Sequence, residues 1–268
     1  MDCIAIIPAR YASSRFPGKL LASLAGRPLI QQVVECVVRV PGIDSIVVAT
    51  DDERIAAVAR ETPADVVLSS GDFASGTDRV ADAASRYSAD VIVNVQGDEL
   101  LLDGAAVGAA IARFSESGAE LGTLRAPLTE WQDLRDPNVV KVVIDDNERA
   151  LYFSRAPLPF SRSEWEAAEG SGEGTPEHSA FGVGADNGPA TPAWAHLGVY
   201  FYRPEALASW AALPPSRLEI IEGLEQLRVL EAGRDMQTYL ITKAIPSVNT
   251  VEDLERARIA MSARDPQT

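Results

Sequence analysis

The chain has little of several things, and each shortage narrows its role. Two cysteines among 268 residues, Cys3 and Cys36, sit in apolar segments, which argues against a disulfide framework or a zinc site. No stretch approaches the roughly 20 apolar residues that span a bilayer. Basic residues number 24 against 39 acidic ones, a net charge of −15. Nucleic acids are bound by dense basic patches, so this balance argues against a nucleic-acid surface. The opening Met1–Pro8 lacks a basic n-region, and its apolar run reads as a buried strand rather than a signal peptide. A reducing cytoplasm is the expected compartment. None of this excludes one small anionic ligand, because a few arginines and lysines in one cleft can hold a triphosphate.

What is present is an alternation of short apolar runs with helical patterns. Cys3–Ala9, Ser45–Thr50, Asp65–Leu68 and Val91–Val95 read as strands. Between them, Leu29–Val40, a segment opened by Asp51 and Asp52, and Thr77–Tyr87 read as helices. Strand–helix alternation predicts a mainly parallel, Rossmann-like α/β sheet with helices on both faces, in a single domain over 1–268. The second half changes character. Val139–Ile144 and Ala150–Ser154 predict a hairpin, His196–Tyr202 a strand, and Leu218–Leu230 a single helix. Met236–Ile241 predicts a strand and Val251–Met261 a closing helix. This half is an antiparallel excursion. Residues 163–193, rich in Gly, Ser, Glu, Ala and Pro, read as a mobile loop.

Three segments carry chemistry. Pro8-Ala9-Arg10-Tyr11-Ala12-Ser13-Ser14-Arg15-Phe16-Pro17-Gly18-Lys19 follows the first strand. Ligands of open parallel sheets bind outside the carboxyl ends of the strands, so Arg10, Arg15 and Lys19 are placed to meet phosphates. Gly18 and the small residues Ala12, Ser13 and Ser14 allow backbone N–H groups to approach them. It is not a Walker A loop, since no Ser or Thr follows the lysine and no helix is expected there. Asn94-Val95-Gln96-Gly97-Asp98-Glu99 ends the fourth strand. A carboxylate there suits a hard divalent cation, and Gln96 can read a pyrimidine edge or a hydroxyl. Alone, Gly-Asp is a common turn. Ser75-Gly76-Thr77-Asp78-Arg79 reads as a helix start capped by Thr77, and a helix N-terminus carrying Arg79 is also an anion site.

Together these segments resemble the CMP-Kdo synthetases, the 3-deoxy-manno-octulosonate cytidylyltransferases. The likeness continues through PNVVKVV (137–143), LYFSRAPLP (151–159), HLGVYFYR (196–203) and LEIIEGLEQLRVL (218–230). The resemblance implies a nucleotidyltransferase fold, CTP and a small anionic acceptor as substrates, Mg²⁺ as cofactor and a homodimer. It implies that Lys19, Arg15 and Asp98 are catalytic. Arg10, Ser13, Ser75, Gly76, Arg79 and Gln96 would join Arg15 and Lys19 around the nucleotide. Arg79, Arg155, His196, Tyr200, Glu222 and Gln226 would face the acceptor, and Asp98 would bind the metal.

Some residues depart from that pattern. Ser247-Val248-Asn249-Thr250 stands where the family has a metal-binding aspartate in GVDT, so Asn249 would offer a second metal an uncharged oxygen. Phe73 replaces the usual histidine and Leu100 the usual proline. Arg125 replaces a small or apolar residue and is expected in a loop beside the acceptor. An added arginine and a lost aspartate both suit a smaller, more highly charged acceptor. Three readings follow: a Kdo-type sugar acid, a phosphonate such as phosphonoformate, or nucleotide binding without turnover.

Overall fold

The computed structural model describes residues 1–12, 16–69, 71, 73, 75–100, 103–128, 131–160, 193–242 and 247–262. The predicted mobile loop therefore lies outside the described residues apart from Ala193, which is buried. The strands, in chain order, are β1 (Cys3–Ala9), β2 (Ser23–Leu24), β3 (Arg27–Pro28), β4 (Ser45–Thr50), β5 (Asp65–Leu68), β6 (Val91–Val95), β7 (Leu121–Pro127), β8 (Lys141–Ile144), β9 (Ala150–Ser154), β10 (Trp194–Tyr202) and β11 (Gln237–Leu240). The helices are α1 (Leu29–Val38), α2 (Glu53–Ala59), α3 (Gly76–Ala84), α4 (Gly104–Glu116), α5 (Trp131–Arg135), α6 (Pro204–Ala211), α7 (Arg217–Glu222), α8 (Leu227–Glu231) and α9 (Val251–Ser262). No helix among the described residues is long and apolar enough to cross a membrane.

The chain divides into two compact units, one of residues 1–121, 198–212 and 245–268, the other of 122–197 and 213–244. In the first, the strand order is β10–β6–β1–β4–β5. β1 pairs in parallel with β4 and β6, β5 extends the parallel set, and β10 runs antiparallel to β6. Every residue of β1 and β6 is buried, which is why both read as unbroken apolar runs rather than alternating ones. Parallel pairing sets the carboxyl ends of β1, β4 and β6 side by side. In the second unit β7 lies between β11, to which it is parallel, and β10. The β8–β9 hairpin attaches to β10 through β8. Its turn is built by Asp145, whose Oδ1 accepts from the Asn147 and Arg149 N–H groups, and by Glu148 at φ 61°.

Several expectations need correction. The predicted Leu218–Leu230 helix is two helices. Gly223, at φ 64°, takes the left-handed conformation that ends α7, and α8 begins after Gln226. Ile221, predicted to lie in one apolar register with Leu224, is 66% exposed. Thr77 is not the cap of α3. Ser75 caps it by accepting from Asp78 N–H at 3.1 Å, and Thr77 is buried in the first turn. A one-turn 3-10 helix, Lys19–Leu21, starts where none was expected.

Helix α4, absent from the predicted elements, buries Val107, Ala110, Ile111 and Phe114 at helical spacing and also packs where side chains are absent. A Cβ on Gly104 would lie 2.9 Å from the Arg39 carbonyl oxygen, and one on Gly108 would lie 2.8 Å from that of Pro41. Alanine normally stabilises a helix interior relative to glycine by about 1 kcal/mol. Here Gly108→Ala is expected to destabilise the chain by about 1–3 kcal/mol, because the obstacle is backbone and cannot rotate away. Thermal unfolding checks the sign, and a raised Tm would contradict the packing.

Candidate active site

In the first unit the ends of β1 and β6 meet. A Cβ on Gly97 would lie 2.9 Å from the Pro8 carbonyl oxygen, so only glycine allows this approach. Gly18, at φ 71°, turns the chain after β1, and its N–H donates to the Tyr11 carbonyl at 3.1 Å. That turn brings Lys19 to Asp98, with which it forms an ion pair, and its Nζ also donates to the Val248 carbonyl at 3.1 Å. Val248 N–H in turn donates to the Asp98 carbonyl at 2.9 Å. Lys19, Asp98 and the Ser247–Asn249 segment are thus one cluster.

Gly76, at the start of α3, lies against Gln96, whose Oε1 would be 3.6 Å from a Cβ there. Gln96 Nε2 donates to Asn94 Oδ1 at 3.3 Å. Arg79 is buried, with Nη2 donating to Asp51 Oδ2 at 2.6 Å, Nη1 to Ser69 Oγ at 3.2 Å, and its guanidinium 5.1 Å from the centre of the Phe73 ring. Arg10 is exposed. Ser13 and Arg15 lie outside the described residues.

Among the described residues no three His, Cys, Asp or Glu side chains are gathered to hold a metal. The oxygens of the Lys19 cluster nevertheless suit a hard divalent cation that takes its remaining ligands from phosphates and water. They are the Asp98 carboxylate, the Asn249 amide one residue beyond Val248, and the Glu99 carboxyl. Glu99 is buried, and its Oε2 has no hydrogen-bond partner among the described residues. Burial first, and the adjacent Asp98 charge second, push its carboxyl up to about 8. In the sequence Glu99 stands beside Asp98 at the end of Asn94–Glu99, with nothing to single it out.

The second unit holds a separate polar cluster. Gln226 Nε2 lies 3.4 Å from His196 Nδ1, and His196 Nε2 lies 2.9 Å from Thr123 Oγ1. Thr123 donates onward to the Leu197 carbonyl at 3.4 Å. An amide donor on Nδ1 leaves the ring neutral with its proton on Nε2. Burial pushes the imidazole down to about 3, in agreement with that arrangement. Phe153 packs edge-on against the ring. Nearby in the chain, Glu222 accepts from Ser154 Oγ at 2.6 Å and from Arg155 N–H at 3.0 Å, while Arg155 Nε donates to the Glu222 carbonyl at 2.9 Å. Arg155 with Glu222, and His196 with Gln226, are therefore brought together in the second unit.

Tyr200 belongs to the first unit, where it stacks on Tyr202 and meets Trp210 edge-on. Arg125 lies within β7 rather than in a loop, and is 3% exposed. Its Nε donates to Thr238 Oγ1 at 3.0 Å, its Nη2 pairs with Glu148, and it lies 4.6 Å from the centre of the Trp194 ring. The extra positive charge is thus neutralised within the protein. Thr123 and the fully buried Lys141, whose Nζ donates to the Asp136 and Val139 carbonyls at 2.8 and 2.6 Å, went unremarked in the sequence because they sit inside strands.

The neutral His196 has a consequence for pH. Unfolded histidine takes a proton near pH 6.5, whereas the folded ring does so only near 3. Stability from this group is fully present above 6.5 and is lost as pH falls from there toward 3. NMR of the imidazole nitrogens should show one neutral tautomer from pH 7 down to 5, and titration near 6.5 would contradict it.

The Cytidylyltransferase family model matches residues 4–237. A 3-deoxy-manno-octulosonate cytidylyltransferase of Syntrophotalea carbinolica is 44% identical over 96% of this chain and 97% of that protein. One of Trichlorobacter lovleyi is 43% identical over 97% of this chain and 99% of its own. Among solved structures, a CMP:2-keto-3-deoxy-manno-octonic acid synthetase complexed with CTP superposes with a TM-score of 0.82 at 31% identity, covering 98% of this chain and 100% of that one. A glucose-1-phosphate thymidylyltransferase from Bacillus anthracis, at 16% identity and a TM-score of 0.63, shares the fold alone. With the motifs, the strand-end cluster and these matches in agreement, the chain belongs to the cytidylyltransferase family.

Proposed function

We propose that this cytidylyltransferase moves the CMP group of CTP onto 3-deoxy-manno-octulosonate. An acceptor hydroxyl oxygen attacks the α-phosphorus, the bond to the β-phosphate oxygen breaks, pyrophosphate leaves with that oxygen, and the hydroxyl proton passes to solvent water. The observation that carries the reading is the Lys19–Asp98 cluster, held at the joined ends of β1 and β6 beside Gly76 and Gln96. Lys19 would leave Asp98 for the phosphates, and Gly76 and Gln96 would flank the cytosine. Asp98 and Asn249 would hold Mg²⁺, which supplies positive charge to the phosphate oxygens. Arg10, with Ser13 and Arg15 beyond the described residues, would complete the triphosphate site.

For the acceptor, Glu222, Arg155, His196 and Gln226 offer hydrogen-bonding groups suited to a hydroxylated acid. The case for a phosphonate rests on Arg125 as a spare charge and on the aspartate lost at Asn249, and the pairing of Arg125 with Glu148 removes the first of these. Two further expectations belong to this reading. Both cysteines are free and buried, which suits a reducing cytoplasm. Leu151, Ile220 and Ile221 of the second unit are exposed, and such apolar side chains suit the face of a homodimer.

Pyrophosphate release with CTP and Mg²⁺ tests the reading. Turnover is expected with 3-deoxy-manno-octulosonate and not with phosphonoformate. CTP should be preferred at least about tenfold over ATP and GTP, which needs only about 1.4 kcal/mol of differential binding. Lys19→Ala and Asp98→Asn should each cut turnover by orders of magnitude without unfolding the chain. Turnover of the phosphonate alone would overturn the acceptor, and near-normal rates in both variants would overturn the phosphate site.

A further inference from the structure

Asn249 is an uncommon choice for a residue asked to face a cation across from a carboxylate, because it brings no charge. An uncharged ligand must compensate by being held in place. Its own freedom is large: the side chain has two torsions, and the amide can present either oxygen or nitrogen.

The structure restrains Asn249 from both sides. Its backbone N–H donates to Asp253 Oδ2 at 2.9 Å, and the next N–H, of Thr250, donates to the same oxygen at 2.8 Å. Asp253 is itself fixed in the first turn of α9, where its N–H donates to Thr250 Oγ1 at 3.1 Å. On the other side, Asn249 Nδ2 donates to Ser247 Oγ at 2.9 Å. The Ser247 hydroxyl is hydrogen-bonded to the Glu99 carboxyl, which also accepts the Gly198 N–H, and Glu99 and Ser247 face each other as an isolated β-bridge. Glu99 is buried and lies close against Gly198, where a Cβ would stand 2.7 Å from its Oε1. A chain of contacts therefore runs from β10 through Glu99 and Ser247 to the Asn249 amide. It ends beside Val248, whose backbone bonds both Lys19 and Asp98.

We propose that Ser247 is a positioning residue: anchored on the buried Glu99 carboxyl, its hydroxyl binds the amide nitrogen of Asn249 and so fixes the orientation in which that side chain meets a divalent cation. This rests on the cation role given to Asp98 and Asn249 above. The bond exists only with an amide at 249, because a carboxylate there has no N–H to give. Ser247 and Asn249 are thus a coupled pair.

Mn²⁺ serves as the probe in a double-mutant cycle. Its binding to the chain with CTP present is read by electron paramagnetic resonance, corrected for CTP alone, and its half-saturating concentration for pyrophosphate release is read in parallel. In the wild-type background, Ser247→Ala should weaken Mn²⁺ about tenfold by both readouts. The KM for CTP at saturating Mn²⁺ should change less than about twofold, and Tm should stay near the wild-type value. In an Asn249→Asp background the same change at 247 should move Mn²⁺ affinity less than about twofold. An equal effect in both backgrounds, or none in the first, overturns the proposal. A wild-type chain that binds Mn²⁺ but releases no pyrophosphate overturns the transfer reading instead, and the resonance arm still decides the pairing.

Discussion

The central constraint is the pairing of β1 over Ile4–Ala9 with β4 and over Cys3–Ile6 with β6. With both edges taken and every residue buried, β1 cannot slip without burying unpaired backbone groups. Its direction fixes where the chain emerges, and the parallel strands beside it must emerge at the same edge. Everything chemical in the first unit follows from that edge. Gly97 lets β6 end against Pro8, Gly18 turns Lys19 back over it, and the Ser247–Asn249 segment closes on the Asp98 backbone. Residues 19, 98 and 248 are far apart in sequence, yet they meet where β1 and β6 end.

The electrostatics of an acidic chain are resolved locally. A net charge of −15 would repel CTP if it were spread evenly. Instead, Arg79 is held by Asp51, Arg125 by Glu148 and Arg228 by Glu219, each a buried guanidinium matched by a carboxylate. Such pairs are costly to break and contribute geometry more than net stability. Lys19 differs in kind. Under the proposed function Asp98 is itself a ligand, so the pair would part when phosphate and cation arrive together and exchange charges with them. In the second unit the same economy of charge appears in His196, which is kept neutral by an amide donor on one nitrogen and a hydroxyl acceptor on the other.

The parallel core was legible because buried strands carry an unmistakable composition, and the strand-end motifs because glycines, arginines and acids cluster there for stated reasons. The motifs alone point to phosphate and cation binding, and the cytidylyl chemistry came from the family resemblance that their combination carries. What escaped the sequence was information held by three-dimensional neighbours. Nothing in the string LGTLRAP shows that Arg125 lies inside a strand facing Glu148 and Trp194, so it passed for a loop residue near the acceptor. The apolar spacing across 218–230 overrode Gly223, although a glycine in the left-handed conformation ends the helix there. Thr77 reads as the cap of α3, but the helix starts one residue earlier and Ser75 Oγ takes the Asp78 N–H while Thr77 is buried. Glu99 and Ser247 drew no notice because their link is a bridge between residues 148 positions apart.

CTP is expected at the joined ends of β1 and β6, and a crystal structure of the chain with CTP is the sharpest test. Triphosphate density should lie on Lys19, with the Lys19–Asp98 contact parted and the cytosine against Gly76 and Gln96. Nucleotide density elsewhere, with Lys19 still paired to Asp98, would contradict it.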